Sequence, residues 1–249
     1  MEKSKKYNFT VLIPVFNDQD KIKNLKSELK KYLVNQKYFT CFVDDSYNRN
    51  TLTEIKKSFK KNFHIIKRKK SEKYSTRFSA SYDGFKWISK NIKTKYVVEI
   101  DSDLSHHPKD IMRGINLLKE KKCDLVIGSK YFTGSKVENR KLLRIAISRA
   151  MTLVCRFLFG HKVTDYTNTY RFYTSELVNK FVNCKVLFKS PIGHLHNLLF
   201  ILKKGYFIKE ISVEYIEINP ESSVKIVSML RYLIEFIYCI ILNKFSKTS

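Results

Sequence analysis

The chain has 249 residues, 43% of them hydrophobic, with only 7 glycines and 4 prolines. That composition excludes disordered, collagen-like and disulfide-scaffold classes and suits one large α/β domain with appended elements. Its 48 lysines and arginines against 23 acids leave a formal charge of +25, which favours a polyanionic partner: nucleic acid, an anionic membrane face or a phosphorylated substrate. Much of that charge, in Lys21 to Lys37, Lys56 to Lys73, Lys86 to Lys95 and Lys119 to Lys122, is spaced as on solvated helix faces. Cys41, Cys123, Cys155, Cys184 and Cys239 lack metal-ligand spacing and read as thiols of a reducing compartment.

Met1 to Asn8 is polar and lysine-rich, with no apolar stretch behind it of signal-peptide length, so the expected location is cytoplasmic. Phe9 to Val15 is an apolar run ending at Pro14 and followed by Asn17, Asp18 and Asp20. Ile22, Leu25, Leu29 and Leu33 then recur at helical spacing, which predicts strand, loop and helix. Phe39 to Val43 reads as a second strand that stops at Asp44, Asp45 and Ser46, with a helix over Thr51 to Phe59. Phe63 to Ile66 is a third strand and Ser79 to Ile92 a helix. Tyr96 to Ile100 is a fourth strand ending in acids, Asp101 and Asp103. Pro108 opens a further helix, and Cys123 to Gly128 returns as a fifth strand. The alternation predicts βαβ units and a mostly parallel twisted sheet flanked by helices, in which ligands gather at the carboxyl ends of the strands.

Beyond Ser135 the pattern changes. Arg140 to Phe159 is apolar but carries Arg140, Arg144, Arg149 and Arg156. It reads either as an interfacial helix on an anionic bilayer or as a core helix with its charges in water. Ile226 to Phe245 is interrupted by Arg231 and Glu235, four apart on one face, leaving Leu230, Leu233, Ile234, Ile237 and Ile241 on another. No segment reaches the roughly 18 unbroken apolar residues of a spanning helix, so this is a docking or interfacial helix. The expected organisation is a domain over 1–224 that includes the interfacial helix at about 140–159, and a C-terminal amphipathic helix over 225–249.

Asp101-Ser102-Asp103 places two carboxylates one residue apart where a strand breaks into a loop. Both can turn toward Mg²⁺ or Mn²⁺, hard cations that accept one or two carboxylates and keep sites open for phosphates. The same acids could instead cap the helix at Pro108.

Three stretches resemble the family 2 glycosyltransferases, and within them the dolichyl- and polyprenyl-phosphate mannose synthases and their glucosyl relatives. They are Leu12-Ile13-Pro14-Val15-Phe16-Asn17-Asp18, Phe42-Val43-Asp44-Asp45-Ser46, and Glu99-Ile100-Asp101-Ser102-Asp103-Leu104-Ser105-His106-His107-Pro108. Gly128-Ser129-Lys130-Tyr131, then Arg144 with Ser148, then Val163-Thr164-Asp165-Tyr166-Thr167-Asn168-Thr169-Tyr170-Arg171 follow in the family's order.

The resemblance implies a GT-A fold and a nucleotide-sugar donor. It assigns Pro14, Phe16, Asp18, Val43, Asp45 and Ser102 to the nucleotide, and Asp101, Asp103 and Ser105 to a Mg²⁺ or Mn²⁺ site. It assigns Lys130, Arg144 and Ser148 to the phosphate of a polyprenyl acceptor, and Asp165 and Arg171 to the acceptor channel. His106 and His107 match loop-shaping positions. Asp103, Lys130 and Arg144 carry the chemistry: a polyprenyl phosphate oxygen is already anionic and needs cations to align it rather than a base, so direct displacement would invert the anomeric centre.

Departures are as informative as matches. Asp44-Asp45-Ser46-Tyr47-Asn48-Arg49-Asn50-Thr51 lacks both glycines of the family's turn, and Lys130 replaces an arginine and loses its two-pronged fork. His196 stands where a glutamate is usual, and Pro220-Glu221-Ser222-Ser223 replaces a cationic loop that Lys225 would partly restore. These departures leave open two other readings, a transferase with a glycan or protein hydroxyl acceptor and a weakened relative that binds nucleotide-sugar without turnover. Nucleic-acid binding rests on net charge alone and explains none of the acidic strand ends. Membrane attachment is expected either directly, through the two late helices, or through a small membrane-anchoring subunit.

Overall fold

Continuous apolar runs separated by amphipathic segments give a sheet buried on both faces. The computed structural model describes residues 6–68, 76–121, 123–160, 163–184, 186–218 and 226–245. In chain order the first half contains β1 (Lys6–Val15), α1 (Gln19–Tyr32), β2 (Tyr38–Asp44), α2 (Asn50–Ser58), β3 (Phe63–Lys67), α3 (Arg77–Asn91) and β4 (Lys93–Glu99). A 3₁₀ turn at Pro108–Asp110 leads into α4 (Ile111–Lys121), followed by β5 (Leu125–Ser129), β6 (Lys136–Glu138) and α5 (Leu142–Phe159). Then come β7 (Arg171–Thr174), α6 (Ser175–Val182), α7 (Ile192–Lys203), β8 (Ile208–Ser212), β9 (Glu214–Ile216) and α8 (Ile226–Phe245).

Seven strands form the main sheet in the order β3-β2-β1-β4-β7-β5-β8, and β6 pairs with β9 in a small second sheet. Every pair in the main sheet is parallel except those made by β7, which runs antiparallel between β4 and β5. The mostly parallel sheet flanked by helices is therefore as expected. Apart from α5, the elements between the fifth strand and the last helix, β7 among them, are not assigned from the sequence. Helix α3 starts two residues before the predicted Ser79, because Thr76 accepts the Ser79 amide while Ser79 Oγ accepts the Thr76 amide, a reciprocal capping box.

Alternation along the strands divides the core in two. Leu12, Cys41, Val43, Val97 and Ile127 face one way, under α3, α6 and α7. Val11, Ile13, Phe42, Val98 and Val126 face the other, under α1, α2 and α4. Helices α3 and α7 approach closely at Gly193, where an added Cβ would stand 2.2 Å from the Phe78 ring.

The two late helices expose broad apolar faces. Helix α5 buries Ser148, Thr152 and Cys155 and exposes Leu142, Leu143, Leu153 and Phe157, the last with 88% of its surface free. Helix α8 buries Phe236, Cys239 and Asn243 and exposes Leu230, Leu233, Ile234, Ile237 and Ile241. The Arg231–Glu235 pair forms at 2.8 Å as its spacing predicts. No helix among the described residues is long and apolar enough to cross a membrane. Helix α8 is fastened to α7 by His196, whose Nδ1 accepts from Asn243 Nδ2 at 3.0 Å.

Two outcomes follow from this packing. Gly193→Ala should cost about 1–3 kcal/mol in chemical denaturation, because the ring opposite has no room to move away; an unchanged midpoint would contradict the contact. Burial pushes the His196 imidazole down to about 4. Its neutral form is thus favoured by folding, so the contribution is complete above the unfolded value near 6.5 and is lost as pH falls from there toward 4. Relative to His196→Gln, the wild type should lose up to about 3 kcal/mol of stability across that window. Parallel pH profiles of the two melting temperatures would refute it.

Candidate functional site

Because β1 pairs in parallel with both β2 and β4, the carboxyl ends of these three strands lie at one edge of the sheet. Asp18, Asp45 and Asp101 are therefore brought together from residues more than 80 positions apart in the chain. The edge opens into a cleft of about 480 Å³ whose walls include Pro14, Phe16, Asp18, Asp45, Asp101, Ser102 and Asp103. Seven of the predicted nucleotide and metal residues thus share one cavity. Val15, Lys21, Tyr47, Thr76, Arg77 and Ala80 complete it, and the sequence assigns a role to none of them.

Asp18 ties the cleft together. Its Oδ2 accepts from the Phe16 amide at 3.0 Å and from Ser102 Oγ at 2.6 Å, joining the loop after β1 to the loop after β4, while Oδ1 accepts from Lys21 Nζ at 2.6 Å. Asn17 takes a left-handed conformation, φ 54°, and its amide donates to Ser46 Oγ at 2.8 Å, which sets the second loop against the first. Asp45 is held by Arg68 Nη1 at 3.1 Å and Asp44 by Lys67 Nζ at 3.1 Å. At the mouth Phe16 and Tyr47 meet edge to face, centroids 5.1 Å apart, with both rings exposed. Flat apolar faces of this kind suit a nucleobase.

Asp101 stands between Arg77 and His106. Arg77 Nε and Nη2 reach its Oδ1 at 2.6 and 2.5 Å, and His106 Nδ1 lies 2.8 Å from its Oδ2. Burial opposes ionisation of Asp101, but the Arg77 guanidinium and His106 overcome it and hold the carboxyl well below the usual range. His106 is itself braced by Asn168 Oδ1 at 2.7 Å, so it does shape this corner. Arg77 Nη1 also reaches the buried Glu99 at 3.1 Å, whose carboxyl burial raises.

Asp103 lines the cleft with Oδ1 accepting the Ser105 amide at 3.0 Å, and Leu104 turns through φ 65° between them. Among the described residues no three His, Cys, Asp or Glu side chains gather into a cage. Two neighbouring carboxylates on a cleft of this size nonetheless fit a hard cation that takes most of its ligands from diphosphate and water.

Other predicted residues sit elsewhere. Val43 is wholly buried beneath α3, and Ser105 is buried beside His106; neither lines the cleft. Lys130, Arg144 and Ser148 do not line it either. Lys130 Nζ pairs with Asp165 at 2.9 Å, both fully inside the protein, and Thr167 links Asp165 to Ser148 through hydroxyl contacts of 2.9 and 2.5 Å. Arg144, one turn before Ser148, pairs with Glu217. Burial pushes the Lys130 amine down to about 8 against the opposing pull of Asp165. Around it Tyr215 carries Lys130 and Arg140 over its ring, each 5.5 Å from the centroid. Arg171 is entirely buried, donating to the carbonyls of Asn168, His194 and Tyr166, so it holds the Asp165–Asn168 turn in place rather than facing a channel. The Pro220 to Ser223 loop and Lys225 lie outside the described residues.

Residues 10–182 match the model of glycosyl transferase family 2. The chain is a family 2 glycosyltransferase. It is 30% identical over 228 residues to a dolichol-phosphate mannosyltransferase of Pyrococcus furiosus, an alignment covering 90% of this chain and 61% of that one. A polyprenol monophosphomannose synthase of Mycolicibacterium smegmatis is 29% identical over 136 residues, 54% of this chain and 50% of the relative. The glycosyltransferase thus spans less than two thirds of the length of either relative. Among solved structures it resembles glucosyl-3-phosphoglycerate synthase from Mycobacterium tuberculosis in complex with Mn²⁺, uridine diphosphate and glucosyl-3-phosphoglycerate. The TM-score is 0.68 at 14% identity, covering 98% of this chain and 82% of the other. That likeness establishes the GT-A fold for this glycosyltransferase.

Replacing Asp165 by Asn in the glycosyltransferase would leave the Lys130 ammonium buried without its counter-charge. The expected loss is about 3–5 kcal/mol of unfolding free energy, read by urea denaturation at neutral pH. A loss below about 1 kcal/mol would mean that the pair is not closed in solution.

Proposed function

We propose that this glycosyltransferase transfers one hexose, with inversion, from GDP-mannose or a UDP-sugar to a polyprenyl or dolichyl phosphate at the cytoplasmic face of a membrane. The observation that carries the reading is the convergence of Asp18, Asp45, Asp101, Ser102 and Asp103 on one cleft from three parallel strand ends. The names of the two curated relatives support the same donor and acceptor classes.

In this reading Phe16 and Tyr47 face the base, while Asp18 and Asp45, fixed by Lys21 and Arg68, lie within reach of ribose hydroxyls. The N-terminus of α3, at Thr76 and Arg77, adds the positive end of a helix dipole on the diphosphate side. A divalent ion held by Asp101 and Asp103 would neutralise the leaving nucleoside diphosphate. The acceptor needs no base, since its phosphate oxygen is already anionic; it needs cations, and Lys130, Arg140 and Arg144 are grouped around Tyr215 and Glu217 for that task. Lys130 would have to exchange Asp165 for the acceptor phosphate, and an amine near 8 remains mostly charged at neutral pH.

The exposed apolar faces of α5 and α8 support a bilayer, or a small membrane subunit, as the surface from which the acceptor is taken. Helix α5 carries Arg144 and Ser148 on its inner side and Leu142, Leu153 and Phe157 on its outer side, so a lipid phosphate and its chain would meet the same helix.

The test is incubation of the protein with radiolabelled GDP-mannose, UDP-glucose or UDP-galactose, Mn²⁺ and a short polyprenyl phosphate. Label should pass into the organic phase with one donor, and Asp103→Ala should reduce it at least about 10³-fold. Label appearing only on a glycan or peptide hydroxyl, or nucleotide-sugar binding without any transfer, would reject the lipid-phosphate reading.

A further inference from the structure

Arg77 enters the cleft from the first turn of α3, across the sheet edge from the acid-ended strands. Two of its nitrogens lie on Asp101 Oδ1 at 2.5 and 2.6 Å, and the third reaches Glu99 at 3.1 Å. Asp101 Oδ2 is taken by His106 at 2.8 Å, so both oxygens of this carboxylate are engaged by protein groups. A divalent ion on Oδ1 would sit about 2.1 Å from it, in the space the guanidinium fills and beside a charge of the same sign. Arg77 and the metal therefore compete for one oxygen.

The arginine also has somewhere to go. It lines the same cleft as Asp103, Lys21 and Thr76, and a guanidinium fork fits a diphosphate as well as it fits a carboxylate. We infer that Arg77 is an internal counter-ion that closes Asp101 to divalent metal until a nucleoside diphosphate draws the guanidinium away, so that metal and nucleotide bind as a coupled pair. The inference rests on the donor-site reading above. It makes Arg77 a positioning residue that sets the order of binding.

Titration with Mn²⁺, followed by the electron paramagnetic resonance of the free ion, reads this directly and without turnover. In the absence of nucleotide Arg77→Gln, which keeps a donor for Glu99 but removes the charge, should bind Mn²⁺ at least about 10-fold more tightly than wild type. Arg77→Lys, which keeps the charge and loses the fork, should lie between the two and guards against misfolding of the neutral variant. Adding GDP or UDP should tighten Mn²⁺ binding by wild type more than by Arg77→Gln.

Equal Mn²⁺ affinities for all three proteins without nucleotide, or weaker binding by both variants, would overturn the role of Arg77, as would an equal nucleotide effect on wild type and Arg77→Gln. Wild type that binds Mn²⁺ with nucleotide while showing no Arg77 effect leaves the donor site standing and removes the gate. Tighter Mn²⁺ binding by Arg77→Gln with no nucleotide binding by any form removes the donor reading instead, and with it the nucleotide as the trigger. No Mn²⁺ on any of the proteins at millimolar concentration rejects both.

Discussion

The parallel pairing of β1 with β2 on one side and β4 on the other is the constraint on which the site depends. Parallel strands end at the same edge, so three short acidic loops that are remote in the chain must meet there. Left alone, such a meeting of carboxylates is repulsive. Here four of the acids have partners: Lys21 for Asp18, Lys67 for Asp44, Arg68 for Asp45, and Arg77 with His106 for Asp101. The cleft is thus built from ion pairs that a ligand can rearrange.

A second set of compensated charges stands apart from the first. Lys130 and Asp165 are buried together, and Thr167 and Ser148 extend that network to α5. Asn168 links it back to the acidic corner through His106, and Arg171 holds the turn that carries Asp165 and Asn168. The acidic corner and the buried Lys130–Asp165 network are therefore parts of one framework, braced by a single antiparallel strand, β7, inserted between β4 and β5. The same helix that closes the network on its inner side shows leucines and a phenylalanine to the outside. A polar inner stripe and an apolar outer one reverse the usual helix of a water-soluble domain, and α8, which buries Phe236 and Cys239 with Asn243, also shows leucines and isoleucines to the outside.

The departures from the family pattern also gain a physical setting. Tyr47, in the turn that lacks both glycines, becomes an exposed ring against Phe16 at the mouth of the cleft. His196, in place of an acid, is a half-buried acceptor for Asn243 and serves the joint between α7 and α8, away from the cleft. Neither change removes a group from the acidic corner.

The sequence by itself determined the strands up to the fifth, the acids that end them, the limits of α8 and the family, because each of these is a local pattern: apolar runs, helical spacing, or a contiguous motif. Only the tertiary structure decided that Val43, Ser105 and Arg171 are buried supports, that Lys130 is held by Asp165, and that α5 faces its apolar side outward. It alone revealed Arg77, whose place in the cleft follows from how α3 is capped and packed across the sheet. Local spacing says which residues can share a face; which face meets which neighbour, and which charge neutralises which, is settled by contacts between segments far apart in the chain.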